Sequence, residues 1–110
     1  MSQQKPRLFS LIRTTQSAIY SSGVVSTPGD APTQIRGCFE KLKGLLLEAG
    51  LTMKDIVKVN VYLADISDRE KHLNQIWVEY FPANPPCRTT VQANLGGPLV
   101  EIEIVAEAKQ

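Results

Sequence analysis

The chain has 110 residues, 43% of them hydrophobic and 21% charged, and its formal net charge is +1. This length fits one domain, so we expect a single domain over residues 1–110. The balanced charge leaves no basic footprint for nucleic acid or for an acidic membrane surface, and no apolar run is long enough to span a bilayer. Residues 1–6 lack the apolar core of a signal peptide, which favours a cytoplasmic protein.

The chain contains few residues that could bind a metal ion or form a disulfide. Two cysteines allow at most one bridge, and the lone histidine leaves no Cys/His cluster at metal-ligand spacing. We therefore predict that the protein has no metal site. The alternative is a site shared on a symmetry axis, which His72 would have to supply.

The first half of the chain is typical of a hairpin followed by a helix. Residues 8–13 and 18–25 are short β-rich stretches, and a turn follows them. Apolar residues then recur at helical spacing over residues 31–49, with Pro32 in the first turn and Gly50 at the closing left-handed position. The apolar stripe of this helix comprises Ile35, Cys38, Phe39, Leu42, Leu46 and Ala49.

The second half alternates strand and helix signals. Residues 57–63 show the period-2 pattern of a half-buried strand, and Ser67 with Glu70 forms a possible capping box that opens a second helix. Two further strands are predicted over residues 88–93 and 99–106. The inward side of the first of these three strands comprises Val57, Val59, Val61 and Leu63. The apolar face of the second helix comprises Leu73, Ile76, Trp77 and Tyr80.

The predicted fold class is α+β, with the element order β-β-α-β-α-β-β. Right-handed crossovers place both helices on one face of a mixed sheet, which leaves the other face uncovered. Apolar side chains such as Tyr62, Leu99 and Val105 are predicted on that open face, mixed with the carboxylates of the last strand. So small a helix-on-sheet domain buries limited surface alone, which favours a closed homo-oligomer with ligand sites where subunits meet.

Four segments then resemble one known family. The run PCRTTVQ at residues 86–92, followed by LVEIEI at residues 99–104, resembles the signature of the RidA family, also called the YjgF/YER057c/UK114 or endoribonuclease L-PSP family. The run IYSSG at residues 19–23 resembles the second strand of that family, and AGLTMKDIVK at residues 49–58 resembles its helix-to-strand junction. The segments occur in the family's order and cover residues 17–108.

The resemblance implies a fold, an assembly and an activity. The fold is chorismate-mutase-like, and the assembly is a homotrimer in which three sheets form an inner barrel with active sites between subunits. The activity is hydrolysis of reactive enamines and imines, such as 2-aminoacrylate and 2-iminobutyrate, to 2-keto acids and ammonia, with no metal or organic cofactor. On this basis we expect a 2-iminobutanoate/2-iminopropanoate deaminase-like hydrolase that takes a small imino acid.

The resemblance also assigns site residues. Arg88 matches the family's carboxylate-binding arginine and would hold the substrate through two parallel hydrogen bonds. Glu101 matches its catalytic glutamate and would position water and carry the proton to the departing ammonia. Thr90, where many members carry Cys, Gly23 at a strand end, and Asn74 near the pocket match further substrate-binding positions.

Each of these residues also has an ordinary structural explanation. Arg88 could be a surface arginine or part of an interface salt bridge, and Glu101 a solvated strand carboxylate. Thr90 is a β-branched residue in a strand, and Asn74 is an amide on a helix surface. Gly23 could mark a strand bulge.

Departures from the family keep other functions open. The family's N-terminal Gly-Pro-Tyr-Ser-Gln-Ala segment, which often supplies a pocket tyrosine, has no counterpart here, and residues 13–17 occupy that region. Val24 stands where Gln is common. The alternatives are a catalytically weak trimeric ligand-binding or chaperone-like member, and a specialised deaminase for a larger imine. An endoribonuclease or translation inhibitor is disfavoured, because the chain has no basic stripe and no histidine pair.

Overall fold

A computed structural model describes residues 6–108 of the chain, and the expectation of no signal peptide concerns residues that lie almost entirely outside that range. Within it, five strands and two α-helices follow one another in the predicted order. The strands are β1 (Ile12–Thr14), β2 (Ala18–Ser21), β3 (Ile56–Leu63), β4 (Cys87–Gln92) and β5 (Val100–Glu107). The helices are α1 (Ala31–Glu48) and α2 (Asn74–Tyr80), with a 3₁₀ turn (Met53–Asp55) before β3 and a π-helical turn (Arg69–Leu73) before α2.

The strands form one mixed sheet in the order β1-β2-β5-β3-β4. The pair β3 and β4 is parallel, as a strand–helix–strand connection through α2 requires, and the other neighbours are antiparallel. Strand β4 is therefore an edge strand that lies beside α2. The register sets Arg88 of β4 opposite Val59, and Glu101 of β5 opposite Tyr62, both in the central strand β3.

Both helices pack on the same face of the sheet, and this confirms the predicted α+β layer arrangement. The central and inner strands turn their apolar side chains toward the helices, and residues such as Val59, Val61 and Ile102 are fully buried there. An aromatic cluster joins the two helices, because the Phe39 ring of α1 contacts three rings at the end of α2. Its centroid lies 4.8 Å from Tyr80, 5.9 Å from Phe81 and 6.1 Å from Trp77.

Helix α1 begins and ends on the signals that the sequence carries. Asp30 caps it by accepting a hydrogen bond from the Thr33 N–H at 3.0 Å, and a proline lies in its first turn. Gly50 follows the helix with φ of +78°, the left-handed conformation that favours glycine. Ala49, which the sequence places in the apolar stripe, is exposed because the helix has already ended at Glu48.

The start of β3 departs from the predicted alternation. The sequence predicts Val57 on the inward side, but Val57 is 46% exposed and Ile56 is 4% exposed. The cause is a shift of register between Ile56 and Lys58 along β5, and such an extra residue turns the following side chains to the opposite face. The predicted β stretch 18–25 also ends early, since Val24 makes only an isolated bridge beyond β2.

The predicted capping box at Ser67 and Glu70 is wrong. The Ser67 hydroxyl donates instead to Asp65 Oδ1 at 2.8 Å, inside the preceding turn. The helical segment then opens as a π turn, in which the N–H of Asn74 donates to the carbonyl of Arg69. A capping box needs the Ser67 hydroxyl to accept a hydrogen bond from the first helical turn. Here that hydroxyl is directed to Asp65 in the preceding turn, so the capping box does not form.

Candidate active site

Arg88 projects from edge strand β4 toward helix α2. It pairs with the buried Val59, so its side chain lies on the helix side of the sheet. There its Nη2 donates to Asn74 Oδ1 at 2.8 Å, and its guanidinium carbon lies 4.9 Å from the centre of the Trp77 ring. A hydrogen bond in the guanidinium plane and a ring against its face fix the orientation of the group.

The Arg88 guanidinium has no anionic partner within the described part of the chain, where the ion pair found joins Arg36 and Glu79. Burial lowers the pKa of Arg88, and the nearby charge of Arg69 lowers it further. Both causes disfavour the charged form of the guanidinium. Binding an anion offsets that cost, so the arrangement suits recognition of a carboxylate.

Thr90 lies two residues beyond Arg88 on the same side of β4. Its hydroxyl oxygen is buried, and it finds no hydrogen-bond partner among residues 6–108. Leaving such a group unsatisfied costs about 1–3 kcal/mol, so a ligand atom or a water that contacts it is stabilising. Arg88 and Thr90 thus offer a cation and an unused hydroxyl along one strand.

Glu101 projects from β5 on the opposite, open side of the sheet. Its carboxylate lies directly against Gly23, since a Cβ built there would come within 2.7 Å of Glu101 Cδ. The sequence match for Gly23 therefore has a structural cause: any side chain at that position would displace the glutamate. Glu101 itself accepts no hydrogen bond from the side chains described.

Glu103 has a different environment from Glu101, although the two face the same way. Glu103 Oε1 accepts a hydrogen bond from the Tyr62 hydroxyl at 2.7 Å and another from Asn60 Nδ2 at 3.1 Å. The hydrogen bond to Glu103 is also the main reason why the pKa of Tyr62 is raised. Spacing alone cannot separate the two glutamates, whereas their contacts do: Glu103 is tied to neighbouring side chains and Glu101 is left available.

The five predicted site residues fall into two groups within one copy of the chain. Arg88, Thr90 and Asn74 share the helix side at the β4 edge, and Glu101 and Gly23 share the open side. The predicted convergence of Arg88 and Glu101 does not occur inside a single protomer. Their meeting would need two copies of the chain, whereas the sequence-based hypothesis named a cleft between neighbouring protomers without saying which protomer supplies each side chain.

Two neighbours of Arg88 were not predicted as site residues. Trp77 fits the apolar stripe of the second helix, and no sequence signal shows that its ring also contacts a guanidinium. The π turn brings Arg69 toward the side of the helix that carries Asn74, and local sequence propensity does not predict a π turn. Asn74 was predicted from the family resemblance to contact substrate, whereas in the structure its side chain contacts Arg88.

The described part of the chain has neither a membrane-spanning helix nor a metal-binding cluster. Over residues 6–108, no helix combines the length and the apolar character that a membrane span needs. The same part of the chain holds no cluster of three or more His, Cys, Asp and Glu side chains arranged to bind a metal ion.

Within residues 6–108, the fold and the site define a small α+β protein with an arginine that has no anionic partner and a glutamate that lies against a glycine. The sequence model of the family described as Endoribonuclease L-PSP matches residues 9–110. The chain therefore belongs to this family, which includes the RidA and RutC proteins.

Individual relatives agree with this membership. The 3-aminoacrylate deaminase RutC of Acinetobacter baylyi is 39% identical over 80 residues, which cover 73% of this chain and 63% of that protein. A RutC family protein of Pyrococcus horikoshii is 38% identical over 80 residues, covering 71% of this chain and 63% of its own length. The chain thus spans less than two thirds of these curated relatives.

Solved structures match over nearly the whole fold. The crystal structure of RidA from the Antarctic bacterium Psychrobacter sp. superposes with a TM-score of 0.85 at 28% identity, covering 94% of this chain and 91% of that one. A Rid family protein of Yersinia pestis gives a TM-score of 0.85 at 28% identity, with coverage of 94% and 90%. These matches confirm the predicted family and fold class.

Proposed function

We propose that this protein hydrolyses reactive 2-imino acids and their enamine tautomers to 2-keto acids and ammonia. The observation that carries the proposal is Arg88, which is partly desolvated, oriented by Asn74 and Trp77, and without an anionic partner among residues 6–108. Family membership supports the reaction class, since one relative is named as a 3-aminoacrylate deaminase. Small imines such as 2-iminobutanoate and 2-iminopropanoate are the expected substrates.

Arg88 binds the carboxylate of the substrate in this mechanism. Two parallel N–H···O bonds would fix both the position and the plane of that group. The carboxylate is attached to the imine carbon, so holding it also sets where the electrophilic carbon lies. Thr90, with its unused hydroxyl on the same side of β4, is placed to contact the substrate or a bound water.

Glu101 assists the addition of water. It takes a proton from water while the water oxygen forms a bond to the imine carbon, and the C=N bond becomes a C–N single bond. Glu101 delivers that proton to nitrogen, which gives a carbinolamine. The proton of its hydroxyl group then passes through Glu101 to the amino group, the C–N bond breaks, and ammonia leaves as the carbonyl of the keto acid forms. Positioned proton transfer of this kind contributes about 10²–10⁴-fold.

The two residues act together only if they come from neighbouring copies of the chain, because they lie on opposite sides of the sheet. We therefore propose a homotrimer in which Arg88 of one protomer faces Glu101 of the partner subunit. The open side of the sheet supports this assembly, since apolar Val105 lies there among half-buried polar side chains such as Tyr62. No organic cofactor or metal takes part in the proposed reaction.

An in situ assay tests the proposal. An amino-acid oxidase generates 2-iminobutanoate, and the decay of the imine is followed by semicarbazide trapping with and without the purified protein. We expect faster decay with wild type, near-background decay with Arg88→Ala, and a loss of about 10²-fold or more with Glu101→Gln. Glu107→Gln, an exposed carboxylate on the same strand, is the matched control and should keep full activity.

Two results would replace this function with another. A protein that forms trimers by light scattering and yet leaves the imine decay unchanged would be a ligand-binding or chaperone-like member. Salt-sensitive RNA cleavage by the same preparation would instead favour the endoribonuclease alternative.

A further inference from the structure

The π turn before α2 decides which charged side chain lies beside Asn74. The N–H of Asn74 donates to the carbonyl of Arg69, so these two residues follow one another along the same side of the helix. In a regular α-helix a residue five positions away lies about 140° around the axis, on a different side. The extra residue of the π turn therefore brings Arg69 toward the side from which Asn74 contacts Arg88.

Arg69 lies close enough to Arg88 for one cation to act on the other. Its charge is the electrostatic contribution that adds to burial in lowering the pKa of Arg88, and no carboxylate contributes in the opposite direction. Arg69 is exposed and forms no ion pair with any residue from 6 to 108. Two positive charges therefore act on one another beside the π turn, and their repulsion is relieved when anionic groups bind there.

We propose that Arg69 is a specificity-determining residue, and that the preferred substrate is a 2-imino acid with a second carboxylate on its side chain. Arg88 holds the carboxylate beside the imine carbon, and Arg69 holds the distal one. This inference rests on the proposed function and names its substrate class. A monocarboxylic imine would leave Arg69 without a partner.

A binding experiment tests the preference for a second carboxylate without requiring catalysis. Trp77 is the single tryptophan of the chain, and its ring lies against Arg88, so its fluorescence reports occupation of the guanidinium. The full-length protein is titrated at constant ionic strength with glutarate, a dicarboxylate, and with butyrate, a monocarboxylate. We expect glutarate to bind about tenfold more tightly, the difference that one charge-assisted hydrogen bond supplies.

Arg69→Gln should remove the preference for glutarate and leave the Kd for butyrate within about twofold. The matched control is Lys71→Gln, which deletes a cation from the same turn beside Asp65 and should keep the preference. Equal affinities for both anions in the wild type would overturn the proposal. So would a preference that survives in Arg69→Gln or disappears in Lys71→Gln.

Kinetics then separate this inference from the proposed function. With 2-iminoglutarate and 2-iminobutanoate as substrates, Arg69→Gln should raise KM for the dicarboxylic imine about tenfold and leave kcat unchanged. An equal loss on both substrates would contradict a role in specificity. If the wild type hydrolyses neither imine but binds glutarate through Arg69, the proposed deaminase function fails and the ligand class stands.

Discussion

Gly23 and Glu101 are in direct contact, and the contact leaves no room for a side chain on residue 23. A Cβ there would lie 2.7 Å from Glu101 Cδ and 2.8 Å from its Cγ. The two residues are far apart in the sequence and meet because Val24 exchanges two backbone hydrogen bonds with Ile102, at 2.8 and 3.0 Å. The orientation of the proposed catalytic carboxylate therefore depends on a glycine in another strand segment.

Gly23→Ala tests this dependence. The added methyl should push the Glu101 side chain away from its position, while Arg88 on the other side of the sheet keeps its contacts. We expect kcat to fall by about tenfold or more, with KM changed much less. The reason is that Glu101 activates the water, whereas Arg88 binds the substrate carboxylate. Steady-state kinetics on 2-iminobutanoate give both values.

Gly44→Ala is the matched control for that substitution. Gly44 lies inside helix α1, and a Cβ there would meet nothing within 4 Å. Replacing a helix-interior glycine by alanine should stabilise the fold by about 0.5–1 kcal/mol in urea unfolding and leave activity unchanged. A fully active Gly23→Ala protein, folded by circular dichroism, would show that the position of Glu101 does not matter.

The sequence predicts those parts of the fold that depend on local signals. The predicted bounds of helix α1 rest on a proline in its first turn and on Gly50 after its end, and both act over a few residues; the structure adds the capping contact of Asp30. The bulge between Ile56 and Lys58 cannot be predicted from local signals, because it depends on how β3 aligns with β5. Lys58 fits the period-2 alternation of the predicted strand 57–63, and Ile56 lies just before that strand, so the sequence pattern gives no sign of the bulge.

In the candidate site too, local sequence patterns do not show which residues of different elements come into contact. Arg88 and Glu101 are identified by their resemblance to a family motif, which a single sequence carries. The contact of Trp77 with Arg88 joins a helix to a strand that follows it, and an apolar stripe predicts only that Trp77 is buried. Which of Glu101 and Glu103 is free depends on cross-strand partners, and the alternation of side chains in a strand gives both glutamates the same face.

Asn74→Asp tests whether Arg88 must stay unpaired. The Asn74 oxygen is 2.8 Å from Arg88 Nη2, so a carboxylate at that place would form an ion pair with the guanidinium. The pair would compete with the substrate carboxylate, and we expect KM to rise about tenfold or more. Asn74→Ala removes one hydrogen bond without adding charge and should raise KM less. Equal effects of the two variants would contradict this account.

Phe39→Ala tests the aromatic cluster that holds α2, and with it Trp77, against α1. Phe39 is fully buried and contacts the rings of Trp77, Tyr80 and Phe81. Removing such a ring leaves a cavity, and we expect the free energy of unfolding to fall by about 3–5 kcal/mol in urea titrations. Val78→Ala, at a side chain that is 59% exposed, should change it by less than about 0.5 kcal/mol.

The Cys38 thiol should be unreactive in the folded protein. Burial raises its pKa from 9.0 to about 12, and its S–H lies 3.4 Å from the Val24 carbonyl oxygen. The folded state therefore favours the protonated thiol, so this contribution to stability is complete below pH 9 and is lost as the pH rises toward 12.

A Cys87→Ser background isolates this thiol, because Cys87 is the exposed free cysteine and Cys38 the buried one. At about pH 8 we expect no reaction of the native variant with Ellman's reagent, since the thiolate is the reactive form and the fold suppresses it. In guanidinium chloride one thiol should react, as the pKa returns to its ordinary value of 9.0. Rapid labelling of the native variant would mean that Val24 and α1 separate readily, and the strand segment that carries Gly23 would then not be rigid enough to hold Glu101 in place.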